Sequence, residues 1–317
     1  MQANRIAERT DASAGPTQLD PLRAQLREMW GSVAAGWAEH ADYADARGAA
    51  VTQRLLALTY PQPGERVLEL ACGPGSVGIA AAPRVIPDGE VVLSDLVPEM
   101  TAIASARAQA LGLSNVRARV LDLEQINEPD SSYDVVLCRE GLMLVPDPGR
   151  AAREMRRVLA NRGRLALAVW GPRERNPWLG IMFDAVSAQL GRPVPPPGIP
   201  GPFSLQDADQ LLALLSDAGL ADVDVEELEV PLHAPSFDEW WQRASALAGP
   251  LARTLASLPP QAAEALHDQA RAATKPFEVP SGLQFPGVAL IAHGHHRRRR
   301  VAAPPLQQPG TLRAPAG

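Results

Sequence analysis

The stretch Val67-Leu68-Glu69-Leu70-Ala71-Cys72-Gly73-Pro74-Gly75-Ser76 decides the fold. Its first half is a short apolar run, suited to a strand buried on both faces. Its second half is a glycine turn that runs into a helix start. Strand, glycine turn and helix in that order build the ligand-binding corner of an open α/β sheet. Two acids refine the reading. Glu69 sits near the end of this strand, and Asp95 closes the next one, Glu90-Val91-Val92-Leu93-Ser94.

The spacing of Gly73, Gly75 and Gly78 also satisfies the G-x-G-x-x-G pattern of dinucleotide sites. The surrounding chemistry separates the two ligands. A pyrophosphate needs backbone N–H donors and the positive end of a helix. Glu69 would repel that anion, and Pro74 removes one N–H from the loop. The same carboxylate suits an amino group, and Asp95 can accept from both hydroxyls of a ribose. A ligand with an ammonium and a ribose is S-adenosylmethionine. Asp95 fits either ligand, so a nicotinamide-dependent oxidoreductase stands as the alternative. A glycine turn with incidental acids is the structural one.

Composition narrows the class. The chain has 317 residues and 46% hydrophobic content, enough for a large globular core. Its net charge is −6, and the last 24 residues hold five arginines and no acid, which leaves 25 basic against 36 acidic residues in the rest. So acidic a body disfavours nucleic acid, because phosphate attraction dominates that affinity. Two cysteines, Cys72 and Cys138, suit a reduced, cytoplasmic setting. No apolar run reaches the length of a membrane span. The polar N-terminus lacks the apolar core of a signal peptide.

Along the chain, 1–20 is expected to be disordered. A helical cap follows over 21–64, with Leu22, Leu26, Met29, Trp30 and Val33 near one face. Strands are predicted at 66–71, 90–94, 116–121, 133–138, 164–170, 222–232 and 288–292. Helices are predicted over 76–82, 98–111 and 148–159, the last capped by Asp147, then over 176–191 and from a capping box at Ser204 and Asp207. The alternation argues a parallel, doubly wound sheet. A helical insertion over 236–286 would form a lid. The tail, 294–317, reads as disordered, basic and proline-rich. The histidines that lead into it, His293, His295 and His296, suggest metal by composition alone, and solvated tail is preferred. Its arginine run reads as solvated, with an acidic lipid surface as the sharper alternative.

From Trp30 to about His293 the chain resembles the class I S-adenosylmethionine-dependent methyltransferases. It is most similar to the branch with the ubiquinone/menaquinone-biosynthesis C-methyltransferases. Four ordered blocks carry the match: Val67 to Gly75, Val92 to Met100, Val120 to Glu124, and Ser132 to Trp170. The resemblance implies an α/β, Rossmann-like sheet of seven strands, with an antiparallel seventh strand inserted between the fifth and sixth. It implies that Glu69, Gly73 and Gly75 line the methionine end and that Asp95 takes the ribose. Leu96 and Met100 would flank the adenine, with Asp122 and Leu123 at its edge. Cys138 and Arg139 would lie under the methyl-transfer position.

The chain departs from the family at Pro83, which shortens a helix, and at Asn161-Arg162-Gly163, a turn usually written otherwise. The lid points to no particular methyl acceptor. A small, largely apolar molecule, such as a quinone, polyketide or other natural product, suits the aromatic cap and lid. Carbon or oxygen methylation by in-line displacement needs proximity first and a base only if the acceptor must lose a proton. His40 and His233 are the candidate bases, and a surface or hydrogen-bonding role is the plainer reading of each. Met143 and the tryptophans Trp30, Trp37, Trp240 and Trp241 read first as packing residues, although Trp240 or Trp241 can face a pocket. No metal is implied. A protein that binds S-adenosylmethionine without catalysis is a further alternative.

Overall fold

A computed structural model describes residues 20–297. The regions 1–19 and 298–317, with the expected disorder and most of the arginine run, lie outside the described residues.

Four helices precede the sheet: α1 (Asp20–Gly31), α2 (Ala34–Glu39), α3 (Ala41–Arg47) and α4 (Ala49–Thr59). Pro61 and Pro63 follow α4, and the chain then enters β1 (Arg66–Leu70). Val67, Leu68 and Leu70 are fully buried, as an apolar run flanked by strands on both sides must be. The alternation continues with α5 (Ser76–Ala81), β2 (Glu90–Asp95), α6 (Pro98–Ala110), β3 (Val116–Val120), β4 (Tyr133–Arg139), α7 (Pro148–Val158) and β5 (Leu159–Trp170). Pro83 does stop α5, which passes into a short 3-10 turn at Ala82–Arg84. Asp147 caps α7 by accepting from Arg150 N at 2.8 Å.

The second half holds α8 (Pro177–Leu190), α9 (Ala208–Asp217), β6 (Ala221–Glu229), β7 (Leu232–Ala234), α10 (Phe237–Leu247), α11 (Pro250–Ala256), α12 (Pro260–Thr274), β8 (Glu278–Val279), β9 (Gly282–Phe285) and β10 (Val288–His295). The main sheet has seven strands in the order β3-β2-β1-β4-β5-β10-β6. Pairings among β3, β2, β1, β4 and β5 are parallel, and β10 is antiparallel to both its neighbours. The family expectation of an antiparallel strand inserted before the last is met.

Four local readings change. Asp207 caps α9 through Gln210 N at 2.8 Å, but Ser204 closes a turn instead, accepting from Gly201 N. The predicted sixth strand breaks after Glu229, and Leu232 belongs to a separate three-stranded sheet, β7-β9-β8. The 236–286 insertion is therefore three helices and a hairpin, and the hairpin ties back to the chain just before the insertion. The last strand runs past Ala292, because Gly294 and His295 still pair with Leu165 and Arg164 of β5. Beyond it His296 N donates to Gly163 O and Arg162 N to His296 O, while Arg297 pairs with Asp222. Residues 294–297 are thus structured, not tail. The tail histidines gather no metal-like cluster among the described residues. None of the described helices is long and apolar enough to cross a membrane.

Candidate active site

The carboxyl ends of β1, β2, β4 and β5 open onto one cavity. The glycine loop forms its floor. Gly73 has φ of +52° and Gly75 of +89°, and the intervening proline keeps the turn short. Cys72 N donates to Ser94 O and Gly75 N to Cys72 O, each at 2.8 Å, so the loop is pinned to β2. Arg107 of α6 supports it from outside, donating to Pro74 O at 2.8 Å and pairing with Asp45 of α3 at 2.5 Å.

Backbone amides hold the acids in place. Asp95 accepts from Gly73 N and Val97 N, both at 3.0 Å, and remains partly open to the cavity. Burial pushes its pKa up against those hydrogen bonds. Glu69 accepts from Val77 N at 3.1 Å and Gly78 N at 2.7 Å, at the start of α5. It is 2% exposed, and burial raises its pKa to about 7. A Cβ at Gly78 would stand 2.8 Å from the Glu69 carboxylate and 2.2 Å from Leu93, so only glycine lets this turn of helix approach. Asp122 accepts from Glu124 N at 2.8 Å and also faces the cavity. Beside it, Glu124 is almost fully buried and accepts from Arg23 of α1, with 2.6 Å to Arg23 Nε.

Glu69, Gly73, Asp95, Leu96, Met100, Asp122, Leu123 and Arg139 all line this cavity. Gly75 and Cys138 do not. Gly75 turns its Cα toward Leu93 and Ala104, beneath the loop. Cys138 is 0% exposed on β4, one residue out of phase with Arg139, and burial pushes its thiol to about 12. Neither candidate histidine reaches the cavity. His40 lies at the junction of α2 and α3, and His233 is exposed on β7, with its Nε2 3.2 Å from Ser281 Oγ.

Several lining residues were not assigned from the sequence. Arg47, Glu140, Trp170, Trp178 and Phe183 surround the end away from Asp122, and Met143, read above as plain core, also lines the wall. Met143 Sδ accepts from Trp170 N at 3.4 Å. Among the tryptophans, Trp30, Trp37 and Trp240 reach the cavity. Trp241 does not line it and instead stacks on Phe237, partly buried against the core. Cap and lid meet over the site. A Cβ at Gly36 would lie 2.8 Å from Ala246 O, and one at Gly249 2.7 Å from the Trp30 ring. The Arg243 guanidinium stands 4.5 Å from the Tyr43 ring centroid.

The donor set fits S-adenosylmethionine. Gly73 has open space where a Cβ would project, so its backbone forms a cradle that a side chain would fill. The groups facing that space from β1 and β2 are carboxylates, suited to an amino group and to hydroxyls, and the amides at the start of α5 that a pyrophosphate would need are taken by Glu69.

Fold and site together define a Rossmann-like domain built for a nucleoside with a charged tail. Residues 61–177 match the family model described as methyltransferase domain. The chain is 32% identical over 207 residues to nocamycin O-methyltransferase of Saccharothrix syringae, covering 59% of this chain and 70% of that one. It is 36% identical over 127 residues to a ubiquinone/menaquinone biosynthesis C-methyltransferase of Ectopseudomonas mendocina, covering 40% of this chain and 49% of the relative. The crystal structure of YcgJ protein from Bacillus subtilis superposes with a TM-score of 0.54 at 21% identity, over 78% of this chain and 98% of that one. The chain belongs to the S-adenosylmethionine-dependent methyltransferase family, and S-adenosylmethionine is its cofactor.

Proposed function

We propose that this enzyme methylates a small, largely apolar acceptor, such as a quinone, polyketide or other natural product, at carbon or oxygen. The observation that carries this reading is the cavity itself. It runs from the acids at the ends of β1 and β2 to an aromatic chamber under the cap and lid, a space for a ligand beside the cofactor. The names of the relatives support both atoms, one being an O-methyltransferase and one a C-methyltransferase.

The chain's residues divide the work. Asp95 would hold the ribose, Glu69 and Gly73 the methionine end, and Met100, Asp122 and Leu123 the adenine. The bound cofactor supplies a methyl group already activated by its sulfonium. The tryptophan walls orient a flat acceptor, and the meeting of cap and lid keeps water out. Both effects act through proximity and alignment, which can supply most of a displacement barrier. With His40 and His233 off the cavity, no histidine serves as base in this reading.

Titration calorimetry tests it. S-adenosylhomocysteine should bind saturably and raise the melting temperature, as any ligand of the native state does. Saturable NAD binding with none for S-adenosylhomocysteine would sink the proposal.

A further inference from the structure

Three guanidiniums reach the cavity, and their hydrogen bonding differs. Arg23 is bound to Glu124 at 2.6 and 3.1 Å. Arg139 donates to Thr52 Oγ1 at 2.9 Å, in a niche that exists because residue 48 is glycine. The Arg47 guanidinium, at the end of α3, makes no hydrogen bond with any described residue. Its one ionic partner among the described residues is Glu140, 3.5 Å away, and its Nε is buried without an acceptor among them. Its side chain keeps 17% exposure, and it lines the cavity. A guanidinium carries five donors, so a half-buried one with none engaged is an unmet demand for acceptor oxygens.

The surroundings hold Arg47 in place rather than satisfy it. Its Cζ lies 5.2 Å from the Trp170 ring centroid and 4.9 Å from that of Trp178, and those two rings meet edge-on at 5.2 Å. Glu140 directly follows β4 and takes a left-handed backbone, φ +60°, while its N–H stays bonded to Ala168 O at 2.8 Å. A non-glycine residue rarely adopts that conformation, and here it sets the carboxylate opposite Arg47. An aromatic frame and a single loose ion pair fix the position of the guanidinium but leave its hydrogen-bonding capacity free.

We infer that Arg47 is the specificity-determining residue of the acceptor chamber, and that it binds an oxygen, carbonyl or carboxylate, on a flat conjugated acceptor lying against Trp170 and Trp178. Glu140 is its positioning residue. The inference rests on the proposal that the methyl acceptor occupies this chamber. It adds what the acceptor must carry there: a lone-pair oxygen at the edge of the ring system, with no need for a charged amine.

The test uses the full chain saturated with S-adenosylhomocysteine and three probes that share one ring system: 2-naphthoate, 2-acetylnaphthalene and 2-ethylnaphthalene. Binding is read by calorimetry or by tryptophan quenching. Wild-type protein should bind at least one oxygenated probe roughly tenfold more tightly than 2-ethylnaphthalene, the scale of one hydrogen bond to a charged donor. Whichever oxygenated probe leads tells carboxylate from carbonyl. Arg47→Met should erase that preference while leaving the 2-ethylnaphthalene and S-adenosylhomocysteine affinities as they were. Arg47→Lys keeps the charge opposite Glu140 and so guards against misfolding. It should lose most of the preference too, because a point charge cannot reproduce the planar fork. Undetectable or equal binding of all three probes by the wild type overturns the inference, as does a preference that survives in both variants. Failure of S-adenosylhomocysteine to bind is a separate result, and it strikes the methyl-transfer reading itself.

Discussion

The two ends of the cavity are built by different means. At the cofactor end each carboxylate is seated by backbone amides. Asp95 takes Gly73 N and Val97 N, Glu69 takes Val77 N and Gly78 N, and Asp122 takes Glu124 N. At the acceptor end the walls are side chains from α3, β5, α8 and α10, held by ring contacts, and the Arg47 guanidinium has no hydrogen bond among described residues. The first end is finished before any ligand arrives. The second is shaped by packing, and it leaves polar capacity for the ligand to fill. Such a division suits a family that keeps one cofactor and varies the acceptor, because loops and lids can change without disturbing the turn after β1.

The cofactor end is most exposed to mutation at Asp95. Asp95→Ala should weaken S-adenosylhomocysteine binding by about 1.5–3 kcal/mol, the range for hydrogen bonds to a charged group. Asp95→Asn keeps an oxygen for Gly73 N or Val97 N and should lose less. Calorimetry on both variants checks this. If the alanine variant is folded and binds as the wild type does, the cofactor end is not organised around Asp95.

The contrast also explains what could be read from sequence. The strand, turn and helix at 67–82, and the acids at 69, 95 and 122, are local patterns: a buried apolar run, an obligatory glycine turn, a carboxylate at a strand end. On β4 what the sequence left open was the phase. Cys138 and Arg139 are adjacent on a strand, so they face opposite sides, and only Arg139 reaches the cavity. The acceptor end depends on contacts distant in sequence. Arg47 meets Glu140, Trp170 and Trp178 only through the assembled fold, and nothing near Arg47 signals them. The small sheet was equally hidden. Leu232–Ala234 pairs with Leu283–Phe285 across some fifty residues, and strands this short carry too little alternation to detect.

In the lid, two adjacent tryptophans divide between packing and site. Trp240 is 1% exposed and touches the cavity, whereas Trp241 packs outside, its ring centroid 6.0 Å from Phe237 and 5.5 Å from His267. Trp241→Ala should cost about 1–2 kcal/mol of stability through those lost ring contacts. It should leave the affinities for S-adenosylhomocysteine and for any acceptor probe unchanged. Thermal melts with parallel titrations read both quantities. A change in probe affinity at constant stability would move Trp241 into the site.

The smallest effect concerns a proton. Burial raises Glu69 to about 7, although Val77 N and Gly78 N favour its charged form. The folded protein therefore keeps a proton that the unfolded chain gives up near the ordinary carboxylate value of 4.5. By linkage, the contribution of Glu69 to stability falls as pH rises from that value through about 7, and levels off above it. An ammonium placed beside the carboxylate would act in the opposite sense, favouring the charged form. Binding S-adenosylhomocysteine near pH 7 should then release part of a proton from Glu69, and less from it at pH 9, where Glu69 is already ionised. The slope of binding enthalpy against buffer ionisation enthalpy measures that release. Glu69→Gln should flatten the slope at pH 7 and weaken binding there. A flat slope in the wild type, or the same slope in both proteins, would mean that Glu69 serves only to pin α5 and that the amino group is held elsewhere.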